Sequence, residues 1–199
     1  MTALLTGLGL AAAAGLNAWA VLLLFQGLVR LLPQDFPGTV TPFLASPLVL
    51  EVALILLLTE FIVNKIPFVD RFWESAHTLL RPVVGVLLAL ACLPESAGFA
   101  RVGAGVAAAL ATLGAHLAKS TTRFTSTAAI RGTTQFFLSL AEDVVAVVLA
   151  ALCFFQPWFT AILLAGLVVV LALHLPRVGR TIQMLFFRLQ HPRSRENNI

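Results

Sequence analysis

The residues of this chain that could carry chemistry are few, and most are ionisable groups set inside apolar runs. Glu142 and Asp143 fall within a run from about Phe136 to Phe155, roughly 10 Å from its start at about 1.5 Å per residue. A carboxylate at that depth costs about 2.5–3.5 kcal/mol even on lenient insertion scales, so it calls for a cation, a proton or a water-filled cavity beside it. His116 and Lys119 are three residues apart, hence on one helical face, and Arg123 extends that face if the helix continues. Glu60 and Lys65 lie near the end of the second apolar run, and Asn17, flanked by Gly15, lies near the middle of the first. Asn17, Glu60, Lys65, His116, Lys119, Arg123, Glu142 and Asp143 together describe a polar cavity suited to a cation, a proton or a small charged solute. The same residues also suit a set of interhelical ion pairs that fix packing in a small bundle.

Other chemistry has less to stand on. Ser120 to Gln135 carries eight hydroxyl side chains with Arg123 and Arg131 among them, a mixture that suits an anion or phosphate headgroup but also an ordinary solvated turn. A re-entrant loop lining a cavity would serve both readings. His77, His116 and His174 share the predicted inner side, yet no metal-ligand spacing joins them. Cys92 and Cys153 fall near the predicted outer surface and can pair only if their alpha carbons approach within about 7 Å; two apolar packing thiols is the alternative. No Walker A, GxGxxG or nucleophile-elbow pattern occurs, so neither a cofactor nor a catalytic site is predicted, and an enzyme ranks last among the readings.

The elements that must position these groups follow from composition. Of 199 residues, 59% are hydrophobic and 11% charged, with mean hydropathy +0.96, whereas a soluble domain carries about 25% charged residues. The predicted fold class is all-α membrane, a bundle of six transmembrane helices at about 20 apolar residues each. The first span is expected at Ala3–Leu32, followed by a connector broken by Pro33, Pro37, Pro42 and Pro47. Further spans follow at Pro47–Val63, Phe72–Pro94 with a kink at Pro82, Arg101–Ala118, Phe136–Phe155 and Trp158–Leu175. A cleavable signal peptide would want a basic start and a much shorter apolar core than the first run. The integral domain is taken as residues 1–176 and a basic tail as 177–199.

Basic residues in short loops stay on the cytoplasmic side. With both termini inside, eleven of the thirteen Lys and Arg fall on that side, and only Arg30 and Arg101 fall outside. In the tail, Ile182, Leu185, Phe186 and Leu189 mark one helical face while Arg177, Arg180 and Arg188 lie on the other. This predicts an interfacial helix on anionic lipid headgroups, with a docking site for a partner as the alternative. The bilayer and its anionic headgroups, an unidentified ion or small solute, and a second copy of the chain in a homo-oligomer are the partners expected; nucleic acid is not. Three spans per half also admit an inverted duplication: Gly7-Leu8-Gly9-Leu10-Ala11-Ala12-Ala13 reads like Gly103-Ala104-Gly105-Val106-Ala107-Ala108-Ala109. Small residues at every fourth position, Gly7, Ala11, Gly15 and Gly103, Ala107, Ala111, Ala115, suit close helix packing. Shared composition explains the likeness as readily.

Several of these residues recur as a pattern. Gly15-Leu16-Asn17-Ala18, Glu60 with Lys65-Ile66-Pro67-Phe68-Val69-Asp70, His77-Thr78 with Arg81-Pro82 and Gly85, His116, Lys119, Arg123, Ser126-Thr127, Ser139 and Glu142-Asp143 resemble a bacterial membrane-protein family catalogued as domain of unknown function 4126. The chain departs from that pattern at Gly132-Thr133-Thr134-Gln135-Phe136, where a Gly-rich turn and Asn-Pro are usual. The resemblance implies a multi-pass protein of the bacterial plasma (inner) membrane and no particular activity. Two functional expectations remain: a small secondary transporter or channel-like protein whose polar cavity faces the cytoplasm, or a non-transporting scaffold or lipid-binding protein with structural ion pairs.

Overall fold

A computed structural model describes the backbone of residues 1–63, 67–126 and 133–190, with side chains placed except in 67–72, 74, 121–126, 133–136, 138, 139 and 174–190. The described chain is helical throughout, in eight α-helices: α1 (Thr2–Ala14), α2 (Ala18–Leu31), α3 (Thr41–Leu44), α4 (Pro47–Val63), α5 (Pro67–Cys92), α6 (Phe99–Ser126), α7 (Thr133–Phe155) and α8 (Pro157–Gln190). Short 3-10 turns at Pro33–Asp35 and Glu95–Ala97 join them. Two stretches, Ser75–Cys92 and Phe99–Ser120, are long and apolar enough to cross a membrane.

The first apolar run departs from the single helix expected over Ala3–Leu32. It breaks after Ala14 and restarts at Ala18. Gly15 still has helical dihedrals, but Asn17 swings to φ −148°, ψ 103°, and its Oδ1 accepts the backbone N–H groups of Trp19 (3.1 Å) and Ala20 (3.0 Å). Asn is among the best N-cap residues because its side chain satisfies donors that the first turn leaves orphaned. Glycine two positions earlier weakens the preceding turn. Stop and restart are therefore written in the triplet Gly15-Leu16-Asn17, which hydropathy alone reads as continuous.

α1 is the central element and touches α2, α5, α6, α7 and α8. Its small residues allow this: Gly7 lies on the backbone of Ala89, and Gly15 lies on the Thr112 carbonyl and the Ala115 methyl. The expected small-residue face of α1 is therefore an interface. That of α6 is kept only at Ala115 and is otherwise displaced by one residue, because Ala104, Ala108 and Thr112 are buried while Gly103 has open space around it. Since α6 also runs unbroken, the first and fourth apolar runs differ in both register and continuity.

α2 carries the larger apolar residues, and Leu22, Phe25 and Leu28 form the main core with Phe36, Leu44, Val84 and Leu88. The proline-rich connector is more ordered than expected. It folds as two short helical turns, and Gly38 N and Thr41 Oγ1 both donate to the Ala91 carbonyl at 2.9 and 3.2 Å. Arg101 reaches Thr39 Oγ1 and the Leu93 carbonyl, so the first and third connections lie at one end of the molecule. α5 continues on both sides of Pro82. α6 extends past the expected end to Ser126 and α7 begins at Thr133, so most of the hydroxyl-rich stretch is helical and residues 127–132 lie outside the described residues. Helix is also continuous from the last apolar run to Gln190, so the predicted tail helix extends α8 rather than beginning a new element.

The outer faces are apolar. Leu48, Ile55 and Ile62 on α4, Val102, Val106 and Leu110 on α6, Val144 and Val148 on α7, and Ile162, Val169 and Leu173 on α8 are all exposed. An apolar surface so extensive marks a membrane or partner contact rather than a face held in water.

Candidate functional site

The break in the first run gathers the polar residues. A helix end leaves carbonyls without intrahelical donors and carries partial negative charge. Here the end of α1 meets two basic side chains: Arg81 of α5 donates through Nη1 to the Gly15 carbonyl at 3.3 Å, and Lys119 of α6 donates through Nζ to the Leu16 carbonyl at 2.7 Å. Thr112 Oγ1 donates to the Ala11 carbonyl at 2.8 Å. Two cations thus stand at the negative end of α1, where a bare metal cation would find the same dipole and the same carbonyl oxygens.

Around this break three groups form. In the first, Asn17 caps α2 with its oxygen and donates its Nδ2 to Asp143 Oδ1 of α7 at 2.8 Å. In the second, Lys119 Nζ lies 3.5 Å from Glu142 Oε2, the lysine side chain 2% exposed and the glutamate 18%. A cavity of about 360 Å³ adjoins this pair, walled by Leu16, Ala118, Ala141, Val145 and Val170. In the third, Arg81 Nη2 donates to Glu60 Oε1 of α4 at 2.9 Å, and its Nη1 lies 2.6 Å from His116 Nδ1. Arg81 is fully buried, and both Glu60 and His116 are about 2% exposed.

The protonation of two histidines follows from their partners. A guanidinium only donates, so His116 Nδ1 accepts and its proton sits on Nε2, directed to Thr78 Oγ1 at 3.1 Å. An indole N–H also only donates. Trp19 Nε1 approaches His77 Nε2 at 2.8 Å, so His77 carries its proton on Nδ1 and gives it to the Trp73 carbonyl, also at 2.8 Å. Both rings are therefore neutral and of opposite tautomer, each fixed by the hydrogen bond at its other nitrogen.

Asn17, Glu60, His116, Lys119, Glu142 and Asp143 converge on the break as grouped above. Lys65 and the side chain of Arg123 lie outside the described residues, as do the side chains of His174, Arg177, Arg180 and Arg188. Three details depart from expectation. Glu60 takes Arg81 as its partner, a base not among the expected cavity residues. Among the described residues, Asp143 is held by the neutral amide of Asn17. Arg81 and Lys119, two of the eleven bases expected on the cytoplasmic side, are buried inside the bundle. Sequence reasoning missed Arg81 as a site residue, although an arginine one turn after His77 and just before an intrahelical proline was the available signal. Cys92 and Cys153 are both free and buried in packing contacts.

The described charges of the cluster do not cancel. Among the described residues of this cluster, Glu60, Glu142 and Asp143 face Arg81 and Lys119, leaving one carboxylate in excess. Such a cluster can hold a cation or a proton without bringing in a counterion. No curated protein and no solved structure matches the chain. A family model described as a domain of unknown function, DUF4126, matches residues 4–177, nearly the whole of the described helical bundle. The chain belongs to the DUF4126 family.

Proposed function

We propose that this protein is a multi-pass membrane carrier or channel-like protein that moves a cation, a proton or a small cationic solute through the polar site at the α1–α2 break. The observation that carries the reading is the carboxylate in excess among the described residues, Asp143, set beside an interrupted helix whose carbonyls already face side-chain cations. Irregular backbone at membrane depth is tolerated where protein or a cavity surrounds it, and interrupted helices of this kind hold ions in secondary transporters. Counting α1 and α2 as one interrupted span gives six, with α4, α5, α6, α7 and α8 as the others. The apolar outer faces of α4, α6, α7 and α8 support that count. Both termini are assigned to the cytoplasmic side of a bacterial plasma membrane, with Arg177, Arg180 and Arg188 toward anionic headgroups.

Flux into proteoliposomes, read with proton- and cation-sensitive dyes, tests the proposal. Wild-type protein should conduct or exchange, and Asp143→Asn should reduce flux by at least tenfold with Glu142→Gln close behind. Unchanged flux in both variants overturns it. A second reading, a non-transporting scaffold, draws on the internal Glu60–Arg81 and Lys119–Glu142 pairs. It predicts that the acid substitutions lower thermal stability in a protein that shows no flux at all.

A further inference from the structure

One buried carboxylate oxygen has no described use. Glu60 is 2% exposed, and its Oε1 accepts from Arg81, but among the described residues its Oε2 accepts no hydrogen bond. A buried acceptor without a donor is costly, and each such case calls for an explanation. The polar hydrogen-bonding atom it faces is His77 Nε2 at 4.0 Å, and that nitrogen is at present the acceptor of the Trp19 indole N–H.

We propose that His77 is a proton-binding site of this protein and that proton uptake exchanges its partner on α2 for its partner on α4. In the structure the ring is neutral, Nδ1–H donates to the Trp73 carbonyl, and Nε2 accepts from Trp19. A proton from the aqueous phase binds the Nε2 lone pair and gives an imidazolium. The indole N–H can then no longer donate to that atom, and the Trp19–His77 bond breaks. The new Nε2–H points to Glu60 Oε2, and closing from 4.0 Å to the roughly 2.8 Å of a charge-assisted bond takes about an ångström of ring movement. The Nδ1–H bond to Trp73 is kept throughout.

The surrounding charges direct the proton to this histidine. Among the described side chains, α1 and α2 bring no acid or base to it, α2 facing it with Trp19; α4 brings Glu60; α5 itself brings Arg81, which stays on Oε1; and His116 of α6 lies behind Arg81, while the side chains of Asp70, Arg71 and Glu74 on α5 lie outside the described ones. The carboxylate thus offers one oxygen to each of two cations. His116 has no such vacancy, because its Nδ1 is 2.6 Å from a guanidinium that only donates, and protonation there would set two cations against each other. The consequence reaches the break: Trp19 lies two residues after Asn17, which caps α2 and holds Asp143. Releasing Trp19 loosens the start of α2 on its α5 side. The proton site itself stands or falls independently of whether the protein transports anything.

The test is a pH titration from 8 to 5 of the full chain in detergent micelles, with its histidines and tryptophan indoles labelled with ¹⁵N. His77→Gln and Trp19→Phe spectra assign the two signals. At pH 8 His77 should be the Nδ1–H tautomer and His116 the Nε2–H tautomer. On acidification the His77 nitrogens should move to imidazolium values, and the Trp19 indole resonance should shift in step with the same midpoint. In Glu60→Gln the imidazolium form of His77 should be lost from this pH range while His116 is unchanged. A His77 ring still neutral at pH 5 in folded protein, a titration without movement of Trp19, or an unaltered titration in Glu60→Gln overturns the proposal. Should Glu60→Gln fail to fold, the linked movement of His77 and Trp19 in wild type still decides it.

Discussion

Arg81 does the most of any single side chain in this protein. Its two terminal nitrogens serve a carboxylate on α4, an imidazole on α6 and a backbone carbonyl at the end of α1. A planar guanidinium can serve several acceptors at fixed angles, and a lysine ammonium cannot reproduce that fork. Removing it leaves Glu60 as a buried charge without its cation, which typically costs about 3–5 kcal/mol. Arg81→Met should therefore collapse thermal stability in detergent, and Arg81→Lys should recover only a small part. The double variant Glu60→Met/Arg81→Met should lose less than the sum of the two single changes, since replacing a buried pair by apolar residues of similar volume is often near neutral. Additive losses would show that the two side chains do not act on each other. Asn17 also has a double duty, cap and amide donor at once. Asn17→Ser keeps a capping oxygen and loses the Asp143 bond, whereas Asn17→Asp keeps the cap but sets a second carboxylate against Asp143. Unfolding curves at neutral pH should place Asn17→Asp below Asn17→Ser.

At the scale of elements, the interrupted first run is the organising feature. One unbroken helix would leave Lys119 and Arg81 with no carbonyls to receive them, and the groups on α5, α6 and α7 would lack a shared centre. Close packing around α1 makes the break possible, and the glycines show where that packing is tight. A Cβ at Gly15 would meet the Thr112 carbonyl and the Ala115 methyl, while a Cβ at Gly103 meets nothing within 4 Å. Gly15→Ala should destabilise the protein by lowering its melting temperature several degrees. Gly103→Ala should be neutral or raise stability by up to about 1 kcal/mol, the ordinary helix preference of alanine over glycine. Equal effects at the two positions would mean that α1 and α6 do not approach as described.

For the whole molecule, the arrangement inverts that of a soluble domain. Asn17, Glu60, Arg81, His116 and Lys119 lie inside, beside the apolar core of α2, and Leu, Ile, Val and Phe also lie outside on α4, α6, α7 and α8. The first and third connections share one end, held by Arg101 against Thr39 and Leu93. On the proposed six-span reading with internal termini, that end lies outside the cell. In a chain lacking its native cysteines, a thiol introduced by Ser96→Cys should react with a membrane-impermeant maleimide in intact cells, and one introduced by Ser194→Cys should react only after permeabilisation. The reverse pattern inverts the topology, and equal labelling of both removes the membrane reading.

Much of this was legible in the sequence because bilayer solvation acts on composition and run length. Starts near Pro47 and Pro157 and the paired ends at Cys92 and Phe99 follow from largely apolar runs bounded by proline, glycine and ionisable residues, while α7 begins at Thr133, three residues before the expected Phe136. Asn17, His116, Lys119, Glu142 and Asp143 stood out because an ionisable or amide group inside an apolar run is expensive wherever it points. What the sequence by itself could not decide was which group meets which. Partner choice depends on crossings between helices far apart in the chain: Asn17 finds Asp143 across 126 residues and Lys119 finds Leu16 across 103. Arg81 is one of the eleven bases whose charge reads, in the sequence, only as a mark of sidedness. Tertiary structure alone shows it buried, at the one place where a carboxylate, an imidazole and the open end of a helix all require a cation.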